Sequence, residues 1–135
     1  MRTGWLEPRW SVDERVGAIM SCREGGASRA PYEGFNLGAH VGDEPQAVAA
    51  NRARFAQELG ATPVFLEQVH GTRVVRLSAS SAGALQGAQA DACITTEPGW
   101  ACTVMVADCL PVLFAAPDGR GVGACLLYTS PSPRD

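Results

Sequence analysis

Two short segments combine a reactive side chain with residues that favour a turn. In Gln68-Val69-His70-Gly71, an imidazole stands beside a glycine at the end of an apolar run. In Ala107-Asp108-Cys109-Leu110-Pro111, a carboxylate and a thiol separate two apolar runs. The thiol could stay free or serve as a metal ligand. Each segment alone is also compatible with a purely structural role, because Cys among apolar neighbours acts as a small hydrophobe.

The pattern around these segments predicts many short strands and one helix. Because Pro111 limits sheet pairing, Asp108 and Cys109 are expected at a bend. The dipeptide Asp118-Gly119 is typical of a hairpin turn. Residues 78–90 are small and polar, which indicates a surface loop. Apolar runs predict strands over 15–22, 63–69, 73–77, 91–95, 101–107, 110–116 and 121–128. The fold class is therefore α+β, with mixed sheets and few helices.

The helix is expected to begin at Asp43-Glu44-Pro45-Gln46 and to end at Leu59, before Gly60. Asp43 could cap it through its side chain. Arg52 falls in the apolar stripe of this helix, so it either pairs with a buried partner or extends its charge to the surface. Before the helix, a long irregular stretch runs from the Arg23-Glu24-Gly25-Gly26 turn, and long ordered loops tend to carry function.

Composition excludes several classes of protein. The chain has 135 residues, which corresponds to about one domain. All of its 11 basic residues are Arg and its net charge is −3, so it lacks the clustered positive charge that nucleic-acid or anionic-membrane binding needs. Acidic residues and Pro in the first 20 residues argue against a signal peptide. We therefore expect a cytoplasmic protein whose five cysteines are free thiols or metal ligands.

Several motifs in a fixed order resemble those of one known family. The chain resembles the bacterial laccase-domain proteins, once described as multicopper polyphenol oxidases and now regarded as zinc-dependent purine nucleoside phosphorylases, some of which are named peptidoglycan editing factors. The resemblance covers residues 5 to 125, and its most specific motifs are QVHG and ADCLP. The matching segments are Arg23–Ser28, Asn36–Asp43, Asn51-Arg52, Gln68–Gly71, Ala90–Ala92 and Ala107–Val112.

The resemblance implies the N-terminal portion of an α/β/β/α fold over residues 1–125 and a zinc ion held by His, Cys and a second His. On this chain His70 and Cys109 would be the first two ligands, a choice that suits zinc. Asp108 could orient a ligand or move a proton, or it could simply cap the turn.

The third ligand is where the chain departs from the family pattern. Leu126 stands where the family has His, and residues 126–135 have no family counterpart. Cys125 should face away from the position of residue 126, because strand neighbours alternate. The only other imidazole, His40, is a possible third ligand. We expect a truncated reading frame with a disordered tail at 126–135, weak zinc binding, and an unpaired sheet edge or exposed apolar patch at 101–116 and 121–128.

The resemblance implies phosphorolysis of adenosine, inosine or methylthioadenosine, with adenosine deamination as a side activity. Arg23 suits bidentate phosphate binding, and Asn36 and Arg52 are further candidates for phosphate or ribose contacts. Zinc with a bound water or phosphate could polarise the reacting group. Copper laccase chemistry needs more imidazoles than the two in this chain. Two alternatives remain, a hydrolase that edits peptidoglycan precursors and an inactive incomplete domain.

Overall fold

A computed structural model describes residues 4–32, 34–106 and 109–127 of the chain. The described residues form an α+β arrangement with mixed sheets, which confirms the predicted class. None of the helices in this part of the chain is long and apolar enough to span a bilayer. The helices are α1 (Pro45–Leu59) and α2 (Ala82–Leu85), and the strands are β1 (Thr62–Val64), β2 (Val74–Leu77), β3 (Ala92–Thr95), β4 (Trp100–Cys102), β5 (Leu110–Ala115) and β6 (Val122–Leu127).

The long helix has the predicted bounds but not the predicted cap. Pro45 opens α1, and Gly60 ends it with φ at 69° while its N–H donates to the Ala56 carbonyl. A positive φ is what glycine supplies after a helix at little steric cost. Glu44, rather than Asp43, is the N-cap residue, and it makes no side-chain cap. The Asp43 carboxylate instead accepts hydrogen bonds from Ser28 and Asn36.

Three sequence predictions differ from the structure. Residues 15–22 do not form the predicted strand, and their pairing in the structure is an isolated bridge between Leu6 and Met20. Residues 78–90 are not only a loop, since they contain α2 with a buried Ala82. The prediction of a disordered tail from residue 126 is wrong for its first two residues, because Leu126 and Leu127 belong to β6. Residues 128–135 lie outside the described part of the chain.

The first compact unit comprises residues 1–11 and 17–61. Its centre is Asn51 of α1, which is only 1% exposed. The Asn51 amide nitrogen donates to Ser28 Oγ and to the carbonyls of Gly34 and Asn36, and its oxygen accepts from the Ala27 N–H. One side chain of the helix therefore satisfies polar groups along most of the long loop. Buried polar atoms left without such partners are costly.

The second unit comprises residues 12–16 and 62–135, and it contains both sheets. β1 and β4 pair in parallel, while the larger sheet has the order β2-β3-β6-β5. Within it, β2 and β3 are parallel, and β6 is antiparallel to both β3 and β5. The core cluster of this unit draws on both sheets and on α2. It consists of Val64, Leu66, Val75, Leu77, Ala82, Ala90 and Cys93.

One side of the larger sheet keeps apolar side chains in contact with solvent. β5 is an edge strand, which is where a strand proline such as Pro111 is tolerated. The expectation of an unpaired edge and an exposed apolar patch agrees with this arrangement. Large apolar side chains from all four strands are exposed, at Val74, Ile94, Leu110, Phe114 and Leu127.

We expect Asn51→Ala to lower the free energy of unfolding by about 3 kcal/mol, because it leaves several loop groups without buried partners. Chemical denaturation followed by tryptophan fluorescence measures this loss, since Trp5 packs against Phe35 and Phe55 in the same unit. The matched control is Gln57→Ala on the exposed face of α1, which should change stability by less than about 0.5 kcal/mol. Equal effects of the two substitutions would contradict the role assigned to Asn51.

Candidate functional site

A buried carboxylate holds the backbone on both sides of His70. Asp91 is 2% exposed. Its Oδ2 accepts the His70 N–H at 3.0 Å and its Oδ1 accepts the Gly71 N–H at 2.9 Å. The Val69 N–H donates to both oxygens, at 3.2 and 3.1 Å. Three consecutive amides thus point at one charged acceptor, and such bonds are stronger than those between neutral groups.

The hydrogen bonds from the amides of residues 69–71 to the Asp91 carboxylate, called the Asp91 clamp below, explain an unusual backbone conformation at His70. His70 has φ at 58°, and it is the one non-glycine residue in the described part of the chain with a positive φ. A non-glycine residue in this region is strained, so it persists only where its surroundings determine it. The His70 side chain is exposed, while the backbone that carries it is fixed from within. Its imidazole is therefore presented to solvent from a defined position.

A second contact links the His70 loop to the segment that leads to Cys109. The Gln68 side-chain amide donates to the Met105 carbonyl and accepts the Met105 N–H, both at 2.8 Å. Gln68 precedes His70 by two residues, and Met105 precedes Cys109 by four. The apolar run predicted as a strand over 101–107 ends early, at Cys102, and Met105 pairs with Gln68 instead of continuing a ladder.

Cys109 is half-buried at a bend immediately before β5, as the sequence predicted. The neighbouring Asp108 lies outside the described residues, so its proposed role has no structural counterpart here.

Leu126 is part of β6, which lies between β3, the strand that follows Asp91, and β5, the strand that follows Cys109. The Leu126 N–H donates to the Asp91 carbonyl at 3.2 Å. On its other side Leu126 pairs with Pro111, two residues after Cys109. Its side chain is 9% exposed. Cys125 pairs with Ala92 and Val112, so it lies on the opposite face of the strand.

The described part of the chain holds two of the side chains that were expected to bind zinc, His70 and Cys109. Over 4–32, 34–106 and 109–127, no three His, Cys, Asp or Glu side chains are grouped so that they could hold a metal ion. His70 and Cys109 offer two suitable donors, but the side chain at position 126 is an apolar leucine. A catalytic zinc normally has three protein ligands and one open position. His40, the alternative donor, is exposed in the long loop of the first unit.

The candidate phosphate and ribose residues all lie in the first unit, where they support the long loop. Arg23 is exposed, and its carbonyl accepts the N–H groups of Gly34 and Phe35. The Asn36 amide donates to Gly38 and Asp43 and accepts the Gly38 N–H. In the structure, therefore, Asn36 organises the loop itself.

Arg52 has a partner within its own unit. Its Nε donates to the Leu37 carbonyl at 2.8 Å. Burial lowers the pKa of the Arg52 guanidinium. The sequence left two possibilities for Arg52, a buried partner or a charge that extends to the surface. The hydrogen bond from the half-buried guanidinium to the Leu37 carbonyl favours the first.

Sequence reasoning assigned no role to the residues that build this geometry. Three residues build it: Asp91, Gln68 and Asn51. All three stand in the quoted motifs, but their spacing along the chain does not indicate a catalytic or metal-binding role. The available signal was their polarity beside apolar runs, because a polar side chain in such a position usually has a specific hydrogen-bonding task.

Comparison with known proteins decides the family. The family model described as multi-copper polyphenol oxidoreductase laccase matches residues 17–125. The chain belongs to this family. The match includes both units and the segments that carry His70 and Cys109, and it ends one residue before Leu126.

Members of the laccase family with assigned names are close in sequence. The chain is 46% identical over 121 residues to a Haemophilus influenzae protein named purine nucleoside phosphorylase, covering 88% of this chain and 48% of that protein. It is also 46% identical over 120 residues to a Pseudomonas aeruginosa protein of the same name, covering 89% and 48%. The chain thus spans about half the length of the curated relatives it matches.

A solved structure shows the same fold. The crystal structure of a Neisseria meningitidis protein aligns with a TM-score of 0.82 at 41% sequence identity. The alignment covers 90% of this chain and 49% of that one. The chain therefore shares its fold with about half of that protein.

We expect Asp91→Asn to release the loop around His70, because an amide offers one acceptor and adds a donor facing three N–H groups. Backbone amide chemical shifts of residues 69–71 should move towards random-coil values, and the free energy of unfolding should fall by about 3 kcal/mol. Asp118→Asn at an exposed turn is the matched control. Unchanged amide shifts at 69–71 in Asp91→Asn would contradict the clamp.

Proposed function

We propose that the chain takes part in phosphorolysis of purine nucleosides, releasing the free base and ribose 1-phosphate. The observation that carries this proposal is the set of hydrogen bonds from Asp91 that fixes the His70 backbone in the loop between β1 and β2, a loop that Gln68 joins to Met105 in the segment leading to Cys109. The names of the curated relatives support the reaction class. Adenosine, inosine and methylthioadenosine are the proposed nucleosides, and adenosine deamination is the proposed side activity.

The proposed reaction sets two demands on the protein. Its transition state at the anomeric carbon is oxocarbenium-like, so a phosphate must be held close to a developing positive charge. We assign phosphate binding to the exposed Arg23, whose guanidinium can bind two phosphate oxygens at once. Asn36 and Arg52 act on the same loop, Asn36 through Gly38 and Asp43, and Arg52 through Leu37.

Zinc is the proposed metal, with His70 and Cys109 as its ligands. Two protein donors give a weaker site than three, so we propose that this chain binds zinc weakly and that its activity is correspondingly low. A copper oxidase reaction is not proposed, since two imidazoles in the chain are too few for a multicopper centre.

Phosphate-dependent release of adenine from adenosine tests the activity. Adenine release by the purified chain should need inorganic phosphate, and His70→Ala should reduce the rate at least about tenfold because it removes a proposed metal ligand. The control is Gln57→Ala, which should retain the rate of the unaltered chain. Adenine release that persists without phosphate, or that is equal in His70→Ala, would refute the proposed reaction.

Restoring an imidazole at position 126 tests the metal site without measuring activity. Because residue 126 lies between Asp91 and Pro111, Leu126→His should raise zinc affinity roughly tenfold or more. Metal analysis after dialysis should find about one zinc per chain in this variant and less in the unaltered chain. Leu127→His, on the exposed opposite face, is the matched control and should leave zinc affinity unchanged. Tight binding of one zinc by the unaltered chain would contradict the weakened site.

A further inference from the structure

The exposed apolar side chains of the larger sheet lie on one face, called the outer face below. Strand partners in register project to the same side of a sheet, and so do side chains two residues apart along a strand. Ala92 pairs with Val74 and Cys125, and Cys125 pairs with Val112, so these four residues define the outer face. Its large apolar side chains are between 45% and 56% exposed: Val74, Ile94, Leu110, Phe114 and Leu127.

An apolar outer face is unusual for a sheet that meets water. Where one face of a sheet is solvated, its side chains are ordinarily polar. Among the described residues of the four strands, Arg76 is the one charged side chain, and it lies on the outer face beside Ile94. Contiguous apolar surface of this kind marks a site of interaction with another protein surface.

We propose that the outer face binds the outer face of a second copy of the chain, so that two sheets pack together in a symmetric dimer. The area is sufficient for such an interface. The five large apolar side chains expose roughly 500 Å² in each copy, and half-buried Ala92, Val112 and Cys125 add to this. Two copies together therefore exceed the total of about 1,000 Å² that a specific interface needs.

The register of the strands makes the outer face complementary to itself. In the strand order β2-β3-β6-β5, one row across the face holds Arg76, Ile94, Gly123 and Phe114. A two-fold axis along the strands, between β3 and β6, reverses this row in the second copy. Ile94 then faces Gly123 of the second copy, which has no side chain in the way, and Arg76 faces Phe114 of the second copy.

The contact between Arg76 and Phe114 selects this axis. The Arg76 guanidinium donates to Thr96 Oγ1 at 3.0 Å, and none of the described strands carries a carboxylate that could pair with it. Covering its charge with apolar side chains alone would be costly. The face of an aromatic ring attracts a guanidinium, more strongly where water is excluded. An axis across the strands would instead place Arg76 over β2 of the second copy, which has no ring.

Light scattering coupled to gel filtration tests the dimer on the purified chain. We expect twice the 14.2 kDa mass of the chain at micromolar concentration, and dissociation on dilution. Ile94→Arg should weaken the dimer at least about tenfold, because it places a charge at the centre of the interface. Val41→Arg is the matched control and should retain the dimer, since Val41 is 43% exposed against 45% for Ile94 and belongs to the first unit.

Two results would overturn the proposal. One is a chain that is monomeric at every concentration, which would leave the outer face to a different occupant, such as the part of the longer relatives that this chain does not match. The other is an Ile94→Arg variant that associates as tightly as the unaltered chain while its circular dichroism spectrum shows that it is folded.

A charge exchange tests the assigned orientation of the two copies. Phe114→Arg places two guanidinium groups against each other and should weaken the dimer at least about tenfold. Combining it with Arg76→Glu restores opposite charges at the contact, so the double variant should dimerise at least about threefold more tightly than Phe114→Arg alone. Arg76→Glu by itself should weaken the dimer, because a carboxylate is not attracted to the face of a ring. A double variant that dimerises no better than Phe114→Arg would overturn the assigned orientation.

Discussion

The contact between the Asp91 carboxylate and three consecutive backbone amides is the constraint on which the candidate site depends. A carboxylate that is 2% exposed needs donors, and the amides of residues 69–71 supply them. In return, the loop takes a conformation that His70 would otherwise avoid. The same hydrogen bonds thus stabilise the buried Asp91 carboxylate and hold the His70 backbone in place.

Leu126 is held in the sheet by contacts of its backbone. Leu126 contributes its N–H to the Asp91 carbonyl and its place in the ladder to Pro111, and any residue can do both. A leucine can therefore occupy this position without disturbing the strands. The pairing of the strands depends on main-chain hydrogen bonds, whereas the proposed set of zinc ligands depends on which side chain stands at position 126.

Local signals in the sequence predicted the elements that local rules govern. Pro45 and Gly60 delimit α1, and Asp118-Gly119 marks the turn between β5 and β6, because these residues act on their own backbone. Pairing between distant segments was not readable in this way. The partner of β1 is β4, and nothing within residues 62–64 indicates that strand.

The contacts that support the His70 loop could not be predicted from the sequence, and the roles of His70 and Cys109 stay predictions. His70 and Cys109 were identified by type and motif, whereas Asp91 and Gln68 act through contacts 21 and 37 residues away. The capping role expected for Asp43 failed for the same reason. Ser28 and Asn36 from the preceding loop occupy its carboxylate, and the Ser28 hydroxyl, followed by Asn36, lowers its pKa. Its Oδ1 still accepts the Glu44 N–H at 2.7 Å, so the carboxylate joins the loop to the residue before α1 instead of capping the helix.

The strand order has a consequence for how the chain folds. The β5–β6 hairpin joins neighbouring segments, and hairpins form in roughly 1–10 μs. The parallel pairs β1–β4 and β2–β3 require loop closure first, and their ordering entropy is lost before any pairing compensates it. The β5–β6 hairpin therefore forms before β3 pairs with the free edge of β6. During that interval its apolar side chains compete for partners in trans, which makes folding yield sensitive to protein concentration.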